Sequence, residues 1–298
     1  MLKRLRKVGP GAMVAAAFIG PGTVTTASVA GAQFGTALLW AVVFSIIATL
    51  VMQEMSARLG IVSRMSLGEA LRSRFSNPAA RLVVALLVIG AIGVGAAAYE
   101  SGNILGGASG LETLTGVSVR VWAIAMGAVA AVLLWIGRYQ ALEKVLVALV
   151  GLMALCFLSS AILVRPPLFE ILQGLVPKAE ENSLWLVTGL IGTTVVGYNL
   201  FLHSASVRAR WGGPEDLSEC RFDLTFSILV GGIVTMAILL TAAAVFPLGT
   251  QINNVATMVT QIEPVAGEYA RVLFSLGLFT AGFTSAITAP LAAAYATA

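Results

Sequence analysis

Charge is what this sequence has least of. Only 11% of its 298 residues are Asp, Glu, Lys or Arg, against about 25% in soluble domains. Together with 58% hydrophobic residues and a mean hydropathy of +0.93, that scarcity excludes a soluble globular chain and identifies a polytopic, all-α membrane protein. Histidine is scarcer still, with His203 standing alone. The two cysteines, Cys156 in an apolar run and Cys220 in what reads as a polar loop, are too differently placed for a disulfide framework. One histidine and two separated cysteines also exclude a conventional zinc cluster. The absence of a glycine-rich phosphate loop with its lysine argues against ATP-driven pumping by this chain. Nothing indicates enzyme chemistry or a resident cofactor. The basic balance does not point to nucleic acid, because the cations lie in loops between apolar spans.

What the sequence does have is long apolar runs. At the ~20 residues a bilayer requires, eight spans are expected near 9–30, 36–57, 82–110, 119–136, 143–164, 184–206, 224–246 and 269–297. Lys3, Arg4, Arg6 and Lys7 before the first run resemble a signal peptide, with Ser28-Val29-Ala30 as a cleavage site. That run is long for a signal core and carries Gly-Pro-Gly at its centre, so it is read as a span. With the N-terminus inside, 14 of the 18 Lys and Arg fall on the inner side. This bias predicts a cytoplasmic N-terminus and a place in the cell (inner) membrane.

Gly20-Pro21-Gly22-Thr23 interrupts the first span. Proline removes a backbone donor, and within lipid each freed polar group costs several kcal/mol unless protein, ligand or water satisfies it. The sixth span carries Gly192-Thr193-Thr194 and Gly197-Tyr198-Asn199 at mid-depth. Glycines there serve either helix packing or a second break. Five spans separate the two, and an odd offset reverses the second helix, as an inverted-topology repeat requires.

The polar residues within the spans are the candidate site. Glu100 lies well inside the third span and is read as the only carboxylate deep in the membrane; Asn103 follows on the same face. The pair either coordinates a cation or relays a proton, or it is a structural carboxylate bonded to a neighbouring helix. Asn199 and His203 share a face of the sixth span. Asn199 can join freed carbonyls in binding a cation; His203 is either a satisfied core group or a proton shuttle. Glu54 and Arg58 form an i,i+4 pair at the inner end of the second span, read as an anchor or an inner gate.

These residues resemble a known family. Gly9-Pro10-Gly11, eight residues, then Gly20-Pro21-Gly22-Thr23 is similar to the first helix of the Nramp divalent-metal transporters, whose motif is Asp-Pro-Gly-Asn. Gln53-Glu54-Met55-Ser56-Ala57-Arg58-Leu59-Gly60 resembles their second helix, Val196–Ser204 their sixth with its Met-Pro-His-Asn, and Thr284–Thr288 their eighth. The resemblance runs over essentially the whole chain. It implies a LeuT-like bundle of inverted five-helix repeats: one transmembrane domain over 1–298, a first repeat over 9–164 and an incomplete second over 184–298. It also implies import of manganese, iron or similar ions as substrate, commonly coupled to protons. The chain departs from the motif at Gly20 (for Asp), Thr23 (for Asn), Val196 (for Met) and Tyr198 (for His); Asn199 alone matches. Glu100 is expected to replace the missing aspartate as the site's charge. The expected oxygen-rich site comprises Glu100, Asn103, Thr23, Asn199 and carbonyls near Gly20 and Gly197, beside Tyr198, and would suit a manganese, iron or magnesium ion. Two other readings are a carrier for an organic cation or other small solute, and a non-transporting membrane sensor.

Overall fold

The computed structural model describes residues 9–137, 139–178, 180–252 and 255–297, and among these it is helical throughout, without strands. Twelve α-helices follow one another: α1 Pro10–Phe18, α2 Pro21–Phe34, α3 Leu39–Val62, α4 Leu67–Arg74, α5 Pro78–Thr115, α6 Val119–Ile136, α7 Tyr139–Val164, α8 Leu168–Gly174, α9 Leu184–Thr194, α10 Tyr198–Arg210, α11 Leu217–Val245 and α12 Val255–Thr297. Seven spans are long and apolar enough to cross a bilayer, and the bent pair α1–α2 makes an eighth. The eight expected spans are all present.

Local chemistry sets the ends. Pro10, Pro21 and Pro78 each occupy a first turn, where the missing N–H costs nothing. Asn77 caps α5 by accepting from the Ala79 amide at 2.9 Å, and Gly116 ends it in the left-handed region at φ 70°. At 38 residues α5 is about 57 Å long, more than a bilayer's hydrocarbon core needs, so it must tilt or project.

α5 and α12 cross in close contact. A Cβ on Gly282 would stand 2.5 Å from the Gly107 Cα, so only two glycines permit this approach. The buried core gathers Phe18 and Ile19 at the first break with Phe157 of α7 and Phe274 of α12.

Two expectations are corrected here. The seventh span begins at Leu217 rather than 224, so Cys220 lies in a helix and is buried. Glu100 is also not the only carboxylate within the spans, because Asp223 of α11 is buried. The physical reason is the same for both corrections. Asp223 accepts from the amides of Gly9 at 3.0 Å and Gly11 at 2.7 Å, two of the orphan donors that open α1. A carboxylate so bonded can be buried, and the helix runs on through a segment that looks like loop.

A candidate cation site at two helix breaks

The first span bends by 54° between α1 and α2. Helix α1 ends at Ile19, whose amide still reaches the Ala15 carbonyl, and α2 restarts from Gly20 in extended conformation. The sixth span breaks at Val195–Gly197 between α9 and α10. Hydroxyls satisfy the carbonyls released by these breaks. Thr23 donates to the Phe18 carbonyl and lies 3.3 Å from that of Thr193, so one side chain touches both interrupted helices. Ser285 donates to the Ala16 carbonyl at 3.1 Å, and Thr49 to that of Thr194 at 3.4 Å. The carbonyls of Gly20 and Gly197 accept from Val24 and Leu200 in the first turns of the helices that follow.

Two helices close on Gly20. A Cβ there would stand 2.9 Å from the Ser285 hydroxyl and 3.2 Å from the Asn103 amide oxygen. The absence of a side chain is what lets α5 and α12 bring polar atoms up to the break. Asn103 is buried, and its amide nitrogen has no hydrogen-bond partner among the described residues. One turn before it, Glu100 is half-buried with its Oε2 likewise unpartnered. Buried polar atoms are normally paired; of these two residues, Asn103 is the one whose amide oxygen is shown against the break at Gly20.

On the other side, Asn199 is fully buried as the second residue of α10, with neither side-chain atom partnered. Tyr198 is buried and packs edge-on against Tyr99 of α5, ring centroids 5.6 Å apart. Next to this pair a cavity of about 470 Å³ runs between α5 and the second break, lined by Tyr99, Val195, Val196, Gly197 and Tyr198 among others. His203 is fully buried, its Nδ1 3.1 Å from the Gln53 carbonyl of α3. A carbonyl only accepts, so Nδ1 carries the proton and Nε2 is an acceptor, unpartnered among the described residues.

Not all candidates converge. Gly20, Thr23 and Asn103 meet at the first break; Gly197, Tyr198 and Asn199 form the second; Glu100 adjoins Asn103. Glu54 and Arg58 lie elsewhere, 3.0 Å apart, and Glu54 also binds Arg221 of α11 at 2.6 Å. That second cation turns the expected pair into a link between α3 and α11. Ser285 was not expected at the site. Its only sequence signal was its place in the motif of the eighth span. Among the described residues no three of His, Cys, Asp and Glu gather as a metal cluster. The buried polar atoms of the candidates left unpartnered among the described residues are the Asn103 amide nitrogen, both amide atoms of Asn199, Glu100 Oε2 and His203 Nε2.

Comparison with known proteins gives a consistent picture. Residues 11–298 match the family described as Nramp, natural resistance-associated macrophage protein-like. The divalent metal cation transporter MntH of Xylella fastidiosa (strain 9a5c) is 32% identical over 301 residues, covering 96% of this chain and 62% of that protein. The MntH of Bradyrhizobium diazoefficiens is 31% identical over 300 residues, with 96% and 66% covered. This chain therefore spans about 62–66% of the length of such relatives. A crystal structure of the Eremococcus coleocola manganese transporter superposes with a TM-score of 0.82 at 23% identity, over 98% of this chain and 65% of that one.

Proposed function

Because the chain belongs to the Nramp family, we propose that it serves secondary transport of divalent metal cations, with the paired helix breaks as the binding site. One observation carries this reading. Two interrupted helices meet at Thr23, and the first of them receives the Asn103 amide at Gly20, one turn from the Glu100 carboxylate. Irregular backbone at membrane depth is tolerated where it lines a binding cavity.

The donor set bears on selectivity. A cation in a low-dielectric site needs a nearby negative charge, and Glu100 supplies it. Asn103, Asn199 and backbone carbonyls add neutral oxygens. Val196 and Tyr198 bring neither sulfur nor imidazole, so preference for soft metals is weakened. Manganese and magnesium fit this set better than cadmium. The ion is cargo, and neither a cofactor nor catalysis is implied. The N-terminus is cytoplasmic in this reading. Proton coupling, if it follows the family, runs through Glu100 and His203.

Isothermal titration of Mn²⁺ and Mg²⁺ into the detergent-solubilised chain tests the site, with uptake into proteoliposomes as the second readout. Glu100→Gln keeps the shape and removes the charge, and is expected to weaken binding at least tenfold. Wild-type affinity should fall on acidification, since protons compete for the carboxylate. Equal binding by the variant would make Glu100 structural. A wild type that binds no divalent ion would favour an organic-cation carrier.

A further inference from the structure

The arginines at one end of the bundle, where α3 stops and α5 starts, divide into two groups. Arg58 and Arg221 share Glu54, Arg208 is paired with Glu69, and Arg210 lies 3.9 Å from Glu143. Arg72 and Arg74 in the last turn of α4, and Arg81 in the first turn of α5, have no ion-pair partner among the described residues. The unpaired cations therefore lie together on the connection between α4 and α5. Arg81 donates from Nε to the Arg72 carbonyl at 3.1 Å, which holds its guanidinium beside α4.

Between α4 and α5 lies a cavity of about 170 Å³, closed on a third side by Ala296 of α12. Arg72 and Arg81 line it. The other α4 and α5 side chains in its wall are apolar, among them Leu71, Val84, Ala85 and Ile89. Positions 81, 84, 85 and 89 share one face of α5, and from Arg81 to Ile89 that face runs about 12 Å into the span. On its flank, Leu82 and Leu86 are 61% and 62% exposed. The cavity is thus cationic at its mouth and apolar along its length.

We propose that this cavity seats a phospholipid with an anionic headgroup, its phosphate on Arg72 and Arg81 and the start of an acyl chain on the α5 face. Basic pockets between helices at a membrane boundary bind such headgroups, and guanidinium groups match phosphate oxygens in fork geometry. The apolar wall favours a lipid over free phosphate, which would gain nothing from it. The charge balance favours an anionic over a zwitterionic lipid. A choline or ethanolamine group would need a carboxylate, and the nearest on α4, Glu69, is taken by Arg208 and by the Ser66 amide. Helix α4 is also tied to α10, through the Leu67 amide on the Ser204 hydroxyl at 3.0 Å and through Arg208 on Glu69. The lipid would therefore join α5 to α4, and through α4 to the inner half of the second interrupted span.

Native mass spectrometry of the whole 298-residue chain in detergent tests this, with phosphatidylglycerol and phosphatidylcholine of matched acyl chains as probes. Phosphatidylglycerol should bind at least about tenfold more tightly. Arg72→Gln with Arg81→Gln should abolish that preference, and the matching pair of lysine substitutions should retain much of it. Ala85→Trp keeps both charges and fills the apolar end, and should also weaken phosphatidylglycerol binding. Arg120→Gln, at the start of α6 on the opposite end of the bundle, should change nothing. The comparison of the two lipids on the wild type needs no variant, so a misfolded substitution does not decide the matter. Equal binding of the two lipids, undiminished binding by Ala85→Trp, an equal loss with Arg120→Gln, or displacement of the lipid by millimolar inorganic phosphate would overturn the proposal.

Discussion

Around the first break neighbours come close to Gly20 and Pro21, although Gly22 itself is exposed. Asn103 and Ser285 reach Gly20, the Pro21 ring lies directly against Gly106 of α5, and Phe18 and Ile19 are buried. Around the second, Gly192 and Gly197 have no neighbouring heavy atom within 4 Å of a Cβ position, and the backbone borders a cavity. Both interruptions satisfy their carbonyls with hydroxyls, so the difference is not one of hydrogen bonding. It is one of packing. A glycine can be needed because a neighbour occupies its side-chain space or because the chain must bend there, and these two breaks separate the uses.

The comparison can be broken most forcefully at the crossing that closes the first break. Gly282→Leu would drive a side chain into the Gly107 backbone, where no flexible group can yield. Overpacking of this kind typically costs 1–3 kcal/mol and occasionally more. We expect loss of the folded bundle, seen as an aggregated profile in size-exclusion chromatography. Thr23→Val comes next. It keeps the volume and removes the hydroxyl shared by the Phe18 and Thr193 carbonyls, for an expected loss of about 1–3 kcal/mol in thermal or denaturant unfolding in detergent.

The contrast is sharpest in a matched pair. Gly20→Ala meets the ends of Ser285 and Asn103, which can shift, and should cost about 1 kcal/mol or less. Gly197→Ala meets nothing, and Gly197 already has right-handed helical angles (φ −59°, ψ −41°). Alanine should there be neutral or stabilise by up to about 1 kcal/mol. Equal losses at both positions would end the distinction drawn above.

The smallest effect belongs to a contact outside the spans. Glu69 of α4 is held below the usual carboxylate range by the Ser66 amide and by Arg208, with partial desolvation opposing them. A depressed carboxylate pKa stabilises the fold above the unfolded value of about 4.5 and ceases to do so as pH falls through the lower folded value. Unfolding temperature should therefore decline slightly below pH 4.5, and Glu69→Gln should flatten that decline. The pair is half-exposed, so the change is modest.

Much of this fold is legible because a bilayer imposes strong rules. Length and hydropathy alone locate the spans, and a proline between two glycines at mid-span locates the first break. The structure adds a capping box, Ser66–Glu69, that opens α4. What resists reading is any burial that depends on a remote partner. Glu219, Arg221 and Asp223 look like loop because three charges crowd together. Only the positions of Gly9 and Gly11, more than 200 residues away, make Asp223 a core residue. The site was legible to the same limit. Glu100, Asn103 and Asn199 announce themselves as polar residues in apolar helices, whereas Ser285 gains its meaning only from the empty side-chain position at Gly20.

Asp223 has a mechanical consequence. It grips the N-terminal end of α1, while the other end of that helix is jointed at Ile19–Gly20. Nine residues make a rod about 13 Å long. A swing of ten degrees about the joint would carry its tip about 2 Å, enough to part both Asp223 hydrogen bonds. The N-terminal half of the first span is therefore a short lever, and its clasp is carried by a different helix.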